Sequence, residues 1–106
     1  MSNFEPFHRV IQERITNPNA NYYEIPWWDA EVKQFTLNME ESIRFIEEEC
    51  TDEEFRFLSE VFWDIVEKTK DKTFYACIQK RAERVANPEW KEDILSAILE
   101  VKDYYD

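Results

Sequence analysis

The stretch FIEEECTDEEF, residues 45–55, decides how the fold is predicted, because it holds both the end of one helix and the start of the next. Thr51 and Glu54 have the spacing of a capping box, in which each side chain binds the backbone N–H of the other. The acids of the following first turn complement the positive end of that helix. Cys50 falls on the apolar stripe of the preceding helix. The stretch therefore predicts a corner between two helices.

Apolar residues on both sides of this corner recur at helical spacing. Upstream, the helical stripe consists of Trp28, Val32, Phe35, Met39, Ile43, Ile46 and Cys50. This helix either continues unbroken or restarts at Asn38, which has the capping-box spacing to Glu41, and we predict a break near residues 36–38. Downstream, a helix over about 52–69 has one face formed by Phe55, Leu58, Phe62, Ile65 and Val66.

The remaining chain is also predicted to be helical apart from one loop. A short helix over 4–16 has Pro6 in its first turn and Asn3 as its candidate cap, and an aromatic loop with two prolines follows it. Asp71 or Thr73 caps a helix to about residue 86, and the sequence Asn87-Pro88-Glu89 begins a last helix to about 104. We therefore predict a single all-α domain over residues 1–106, a compact bundle of four to five helices in antiparallel hairpins.

The charge of the chain is strongly acidic and unevenly distributed. The net charge is −11, and residues 28–64 hold 12 acidic and three basic residues, a local charge of −9. Residues 65–86 hold six basic and three acidic residues, a local charge of +3. An acidic field repels phosphate backbones and anionic membranes and steers basic partners, so we expect no direct nucleic-acid or membrane binding. The alternative is that the charge serves solubility alone.

Composition also excludes several classes of site. The chain has no glycine, which excludes dinucleotide fingerprints, Walker loops and EF-hand loops. The opening residues MSNFEPFHRV lack the basic start and apolar core of an export signal, so we expect a cytoplasmic protein with Cys50 and Cys77 as reduced thiols. A disulfide between them is the alternative.

No set of catalytic or metal-binding residues is evident in the sequence. His8 is the only histidine and is predicted to lie on a helix surface without a nucleophile or metal ligand beside it. A carboxylate pair for acid–base catalysis, or a calcium site among the acids of residues 47–54, are the alternatives. We predict a protein that is not an enzyme, with no catalytic residue, metal ligand or cofactor.

An acidic stripe with an embedded aromatic residue is the most informative pattern. Glu53, Phe57, Glu60 and Asp64 are spaced by four, three and four residues, which places them on one face of the predicted helix 52–69. Apolar anchors with an acidic rim suit a protein interface. The alternative is that Phe57, and likewise Phe45, packs inside the domain.

Other residues extend this predicted interface. The glutamates at the end of the upstream helix are unfavourably placed for its dipole, which leaves room for a role in binding. We expect Trp28 to be buried and Trp27 or Tyr23 to be partly exposed, while Tyr22 stays undecided. The predicted partner-binding residues are Glu47, Glu48, Glu49, Glu53, Phe57, Glu60, Asp64, Trp27 and Tyr23.

The last helix suggests a second hypothesis, a helical adaptor or structural module. Leu95 and Leu99 lie off its main apolar stripe, so that helix is either covered on two sides or in contact with a second copy of the chain. We therefore expect a monomer or a weak homodimer.

The segment IRFIEEECTDEEFRFLSEVFWDIVEKT, residues 43–69, resembles the small acidic helical immunity proteins of bacterial contact-dependent growth inhibition and related polymorphic-toxin systems. The resemblance covers residues 25–85 and includes Ile-Pro-Trp-Trp at 25–28 and Ser-Glu-Val-Phe at 59–62 before Asp64. It implies a cytosolic protein that binds a cognate toxin domain, often a nuclease, and blocks its active site or substrate groove. An acidic face would complement a basic groove of that kind.

Overall fold

The computed structural model describes residues 4–17 and 27–105, and these residues fold into helices joined by short connectors. The prediction of an all-α fold is confirmed. The helices are α1 Glu5–Thr16, α2 Trp27–Leu37, α3 Met39–Glu48, α4 Asp52–Leu58, α5 Phe62–Thr69, α6 Lys72–Glu83 and α7 Pro88–Val101, with 3-10 turns at Ser59–Val61 and Lys102–Tyr104.

The predicted caps at the centre of the chain are present. The Thr51 hydroxyl accepts a hydrogen bond from the Glu54 N–H at 3.1 Å, and the Glu54 carboxylate accepts one from the Thr51 N–H at 3.1 Å. The Asn38 side chain accepts a hydrogen bond from the Glu41 N–H at 3.2 Å. The upstream helix is therefore broken at Asn38, as predicted, and the corner at residue 51 is a helix start.

The two later caps are formed by polar side chains at the start of each helix. Asp71 accepts a hydrogen bond from the Phe74 N–H at 2.9 Å, which selects it over Thr73 as the cap of α6. Asn87 accepts hydrogen bonds from the first backbone N–H groups of α7. Pro6 lies in the first turn of α1, whose N-cap position is Phe4, whereas the predicted cap Asn3 lies outside the described residues.

The predicted helix over 52–69 is not continuous, which is a correction. The 3-10 turn Ser59–Val61 separates α4 from α5, and the Ser59 hydroxyl donates a hydrogen bond to the Arg56 backbone oxygen at 2.5 Å. Leu58 and Phe62 on either side of this turn are fully buried, so the tighter turn keeps both in the core. The prediction of four to five helices is not confirmed, because this break and the one at Asn38 divide the chain further.

The predicted hairpin arrangement is also not confirmed. Helix α3 packs mainly against α6, and α4 packs against α1 and α7. The connector between α3 and α4 is only residues 49–51, which turns the chain through a corner without folding α4 back along α3. Helix α2 packs against both α1 and α5, and this pairing forms the groove described below.

Aromatic rings form one end of the core. Phe7 stacks on Phe45 with ring centroids 5.1 Å apart and meets the edge of Phe35 at 4.9 Å. Phe45 is fully buried, so it packs inside the domain and is not part of a surface. Both cysteines are free and buried, and burial raises the pKa of the Cys50 thiol and raises that of Cys77 to about 12. Among the described helices, none has the length and apolar character needed to cross a membrane.

Candidate functional site

The predicted partner-binding residues fall into separate regions of the surface. Glu47, Glu48, Glu49 and Glu53 are all exposed where α3 ends and α4 begins, and we call this group the acidic corner. The Glu49 carboxylate lies 3.2 Å from Nε2 of His8, and Glu48 lies 3.8 Å from the Arg44 guanidinium on the same helix. The corner thus keeps most of its carboxylates at the surface.

Glu60 and Phe57 of the predicted acidic stripe also take part in contacts inside the protein. The Arg14 guanidinium donates two hydrogen bonds to the Glu60 carboxylate, each 3.1 Å long. The same guanidinium lies 5.4 Å from the centre of the half-buried Phe57 ring. These contacts join α1 to the region of the 3-10 turn, and both residues stay partly exposed.

Trp27 and Trp28, at the end of the predicted aromatic loop, are helical residues of α2. Trp27 is only 8% exposed and packs beneath the Arg14 guanidinium, whose carbon lies 4.5 Å from the ring centre. Trp28, which was expected to be buried, is only partly buried. The reason is that α2 begins at Trp27 and turns that side chain toward α1. Tyr23 and Tyr22 lie outside the described residues.

An open groove of about 690 Å³ lies between α2 and α5, and it is the candidate site. Its lining consists of Trp28, Asp29, Val32, Asp64, Glu67 and Lys68. Trp28 and Val32 lie one turn apart on α2. On α5, Glu67 and Lys68 follow Asp64 by three and four residues, so each set points to one side of its helix. The groove thus combines an apolar wall with three carboxylates.

The indole of Trp28 is held within this groove by a hydrogen bond. Its Nε1–H donates to Oδ2 of Asp64, and its ring packs on Trp27 with centroids 5.2 Å apart. Glu67 is exposed and has no hydrogen bond or ion pair with the residues that the structure describes. Asp64 is therefore the member of the predicted stripe that belongs to the groove.

A second pair of aromatic residues lies beside the groove. Trp63 is 44% exposed, and its ring meets the edge of Tyr104 at a centroid distance of 5.0 Å. Desolvation raises the pKa of Tyr104, and the negative charges of Glu67 and Asp64 raise it further, which shows that this hydroxyl lies in the field of the groove acids.

His8 lies partly exposed on α1 and makes specific contacts with carboxylates, which the sequence did not predict. Its Nδ1 lies 2.6 Å from Oε2 of Glu54, and that oxygen also accepts a hydrogen bond from Gln12 at 3.3 Å. Burial acts to lower the pKa of His8, but the hydrogen bonds and charges of Glu54 and Glu49 outweigh it, so the pKa is raised. The cluster connects α1 to the helix corner, and neither buried cysteine is activated by it.

Glu31 is a fully buried carboxylate without a hydrogen-bond partner in the part of the chain that the structure describes. Burial raises the pKa of Glu31 to about 8, the nearby Glu60 raises it as well, and Arg14 opposes the change. Trp27 Nε1, one turn earlier, is likewise buried and unpartnered. No pocket opens onto this carboxylate among the described cavities, so it belongs to the core and not to a binding site.

The groove is suited to binding a cation, because carboxylates beside an aromatic face attract positively charged side chains. Among residues 4–17 and 27–105, no group of three or more histidine, cysteine or acidic side chains is placed to hold a metal ion. Sequence reasoning found Asp64 and singled out Trp28, but it missed Asp29, Val32 and Glu67. The sequence shows on which face of its helix each of these residues lies, but it does not show that α2 packs on α5 and brings them together.

No protein-family model, curated protein or solved structure matches this chain.

Proposed function

We propose that this protein binds a basic protein domain through its acidic surface. The observation that carries the proposal is the α2/α5 groove, in which a partly buried tryptophan and a valine lie beside three carboxylates. An apolar wall supplies affinity when it is covered, and carboxylates supply orientation and attract a positively charged partner.

The distribution of charge supports the same partner class. The exposed acidic corner and four of the six groove residues lie in residues 28–64, which have a charge of −9, and the whole chain has a charge of −11. A field of this sign accelerates the encounter with a basic surface and disfavours nucleic acid and anionic lipid. The proposal is therefore a cytoplasmic binding protein without catalytic activity.

The specific form of the proposal is a toxin-neutralising immunity protein. The resemblance over residues 25–85 supports it, and so does the chemistry, because a nuclease groove that binds phosphates is basic and carboxylates can occupy it. The partner would be a cognate toxin domain that is encoded beside this protein.

Co-expression with the toxin domain encoded immediately upstream tests this proposal. Growth should be restored by the protein, and the purified pair should associate more slowly as the salt concentration rises. Reversal of Glu47, Glu48 and Glu67 to lysine should slow association, whereas the control Glu100→Lys on α7 should have a much smaller effect. An upstream gene that encodes no such protein, or an association rate that is insensitive to salt, would contradict the proposal.

A second candidate function, self-association through α7, has its own supporting observation. Leu95 is 46% and Leu99 is 68% exposed, and both line a shallow groove on the outer face of α7 with Lys91 and Glu92. Sedimentation at high protein concentration tests it. A dimer that Leu99→Glu abolishes would support this function, and a monomer at every concentration would exclude it.

A further inference from the structure

We propose that the α2/α5 groove is the subsite for an arginine side chain of the protein partner, whose guanidinium lies against the Trp28 indole and between the carboxylates of Asp64 and Glu67. This inference rests on the proposed function, because it assumes that the partner is a basic protein. It adds the position and the chemistry of one anchor.

The geometry of Trp28 is the first reason. A hydrogen bond from its Nε1–H to Asp64 Oδ2 fixes the indole relative to the carboxylate, and the ring of the preceding residue, Trp27, packs against it. A cation that enters the groove therefore meets an aromatic surface and a carboxylate that are already held in place. Binding therefore loses no further conformational entropy to order these two groups.

The second reason for this subsite is that some carboxylate oxygens in the groove have no hydrogen bond within the described part of the chain. Asp64 uses Oδ2 for the indole, and its Oδ1 has no hydrogen bond among the described residues. Glu67, three residues later and on the same side of α5, has both oxygens available. Two adjacent carboxylates with free oxygens match the several N–H donors of a guanidinium.

Arginine fits this groove better than lysine. A guanidinium is planar and weakly hydrated, so it can stack on an indole while its edge donates to carboxylates. An ammonium group is a compact and strongly hydrated charge that gains less from the aromatic surface. The exposed pair Trp63 and Tyr104 offers a neighbouring surface for an apolar residue next to that arginine.

Lys68 limits the affinity of the subsite. It lines the same groove, one turn after Asp64, and it forms no ion pair within 4.0 Å in the part of the chain that the structure describes. Its positive charge repels an incoming guanidinium at close range. Removal of this charge should therefore strengthen binding, which a purely structural role of the groove would not produce.

The test uses the full chain and three blocked peptides, Ac-Ala-Arg-Ala-NH2 and its lysine and citrulline analogues. NMR spectra of the 15N-labelled protein report the indole N–H of Trp28 directly. We expect the arginine peptide to shift this signal with a dissociation constant in the millimolar range, about two- to fivefold tighter than the lysine peptide, from the size of an exposed cation–aromatic contact. The citrulline peptide, which has no charge, should not shift it.

Variants separate this subsite from the rest of the acidic surface. Asp64→Asn with Glu67→Gln removes two negative charges next to the bound cation and should weaken binding of the arginine peptide at least about threefold. Lys68→Gln removes one positive charge there and should strengthen binding. The matched control, Glu47→Gln with Glu48→Gln at the acidic corner, should leave it unchanged.

The outcomes distinguish this inference from the proposed function. If the toxin domain binds but the arginine peptide does not shift the Trp28 signal, or shifts signals of the acidic corner instead, the subsite is wrong and the proposed function stands. Equal binding of the lysine and arginine peptides would also overturn the choice of arginine. If neither the toxin domain nor the peptide binds, both proposals fail.

Discussion

At the scale of single residues, the buried acids of this protein differ in how they are stabilised. Glu54 accepts hydrogen bonds from Thr51, Gln12 and His8, and these contacts lower its pKa against the effect of burial. Glu31 is equally buried but has no such donors among the described residues, so its pKa rises to about 8. One acid is therefore held ionised by its neighbours, while the other keeps its proton at neutral pH.

Substitution of Glu31 by glutamine should change how stability depends on pH. Glu31 of the unfolded chain loses its proton near its ordinary pKa of 4.5, whereas the folded protein keeps it to about pH 8. The folded state binds more protons in this window, so the free energy of unfolding falls as pH rises from 4.5 to 8. Glu31→Gln should remove this pH-dependent loss. Its free energy of unfolding at pH 8 should therefore rise by about 2 to 4 kcal/mol relative to that of the native protein.

Urea unfolding at several pH values across this window measures the effect. The control Glu100→Gln changes an exposed acid on α7 and should follow the native pH profile closely. Parallel profiles for Glu31→Gln and the native protein would show that Glu31 is not protonated in the folded state.

At the scale of helices, local sequence signals predict where a helix begins. They do not predict as well whether it continues unbroken. Thr51 with Glu54, Asn38 with Glu41 and the sequence at Asn87 each satisfy backbone groups within a few residues, so the sequence alone predicts them. The 3-10 turn Ser59–Val61 has no comparable local signal. It depends on burying residues that contact other helices, and its effect is to separate Glu53 from the acids of α5.

The end of α5 offers a prediction at this scale. Lys70 closes the helix with a φ of 50°, a left-handed conformation in a chain that contains no glycine. A side chain with a Cβ makes this conformation unfavourable, whereas glycine adopts it easily at the cost of a more flexible unfolded chain. Lys70→Gly should therefore stabilise the protein by a net of about 0.5 to 1 kcal/mol.

Thermal and urea unfolding of Lys70→Gly test this expectation. Lys80→Gly is the matched control, because Lys80 is exposed inside α6 and its replacement by glycine should destabilise the helix by about 1 kcal/mol. A loss of stability in both variants would mean that the Lys70 side chain contributes more than its backbone strain costs.

At the scale of the whole molecule, long-range packing decides which predicted residues form a site. Glu60 belongs to the predicted stripe, but Arg14, 46 residues earlier, binds it. Asp64 lies in the groove because α2 packs beside α5 and brings Trp28 to it from 36 residues away. Helical spacing predicts the face on which a residue lies, whereas it does not predict which helix covers that face. The all-α fold was therefore predictable, and only part of the groove was.

The net charge gives the last prediction, which concerns the stability of the molecule in salt. The molecule measures 36 × 33 × 25 Å, and the net charge is −11. The screening length is about 30 Å at 0.01 M salt and about 10 Å at 0.1 M. At low salt each charge therefore acts across most of the molecule and the excess acids repel one another, whereas at 0.3 M only near neighbours interact. The ion pair of Arg81 with Asp52, 2.7 Å apart, is partly buried and loses less to screening.

Sodium chloride should consequently raise the melting temperature between 0.01 M and 0.3 M, and differential scanning calorimetry measures the slope. Reversal of Glu47 and Glu48 to lysine replaces one negative by one positive charge at each position, so the net charge of −11 becomes −7 and the slope should fall. These two glutamates are exposed, so the reversals change the field without disturbing the core. A melting temperature that falls with salt would instead show that favourable ion pairs outweigh the repulsion between the excess acids.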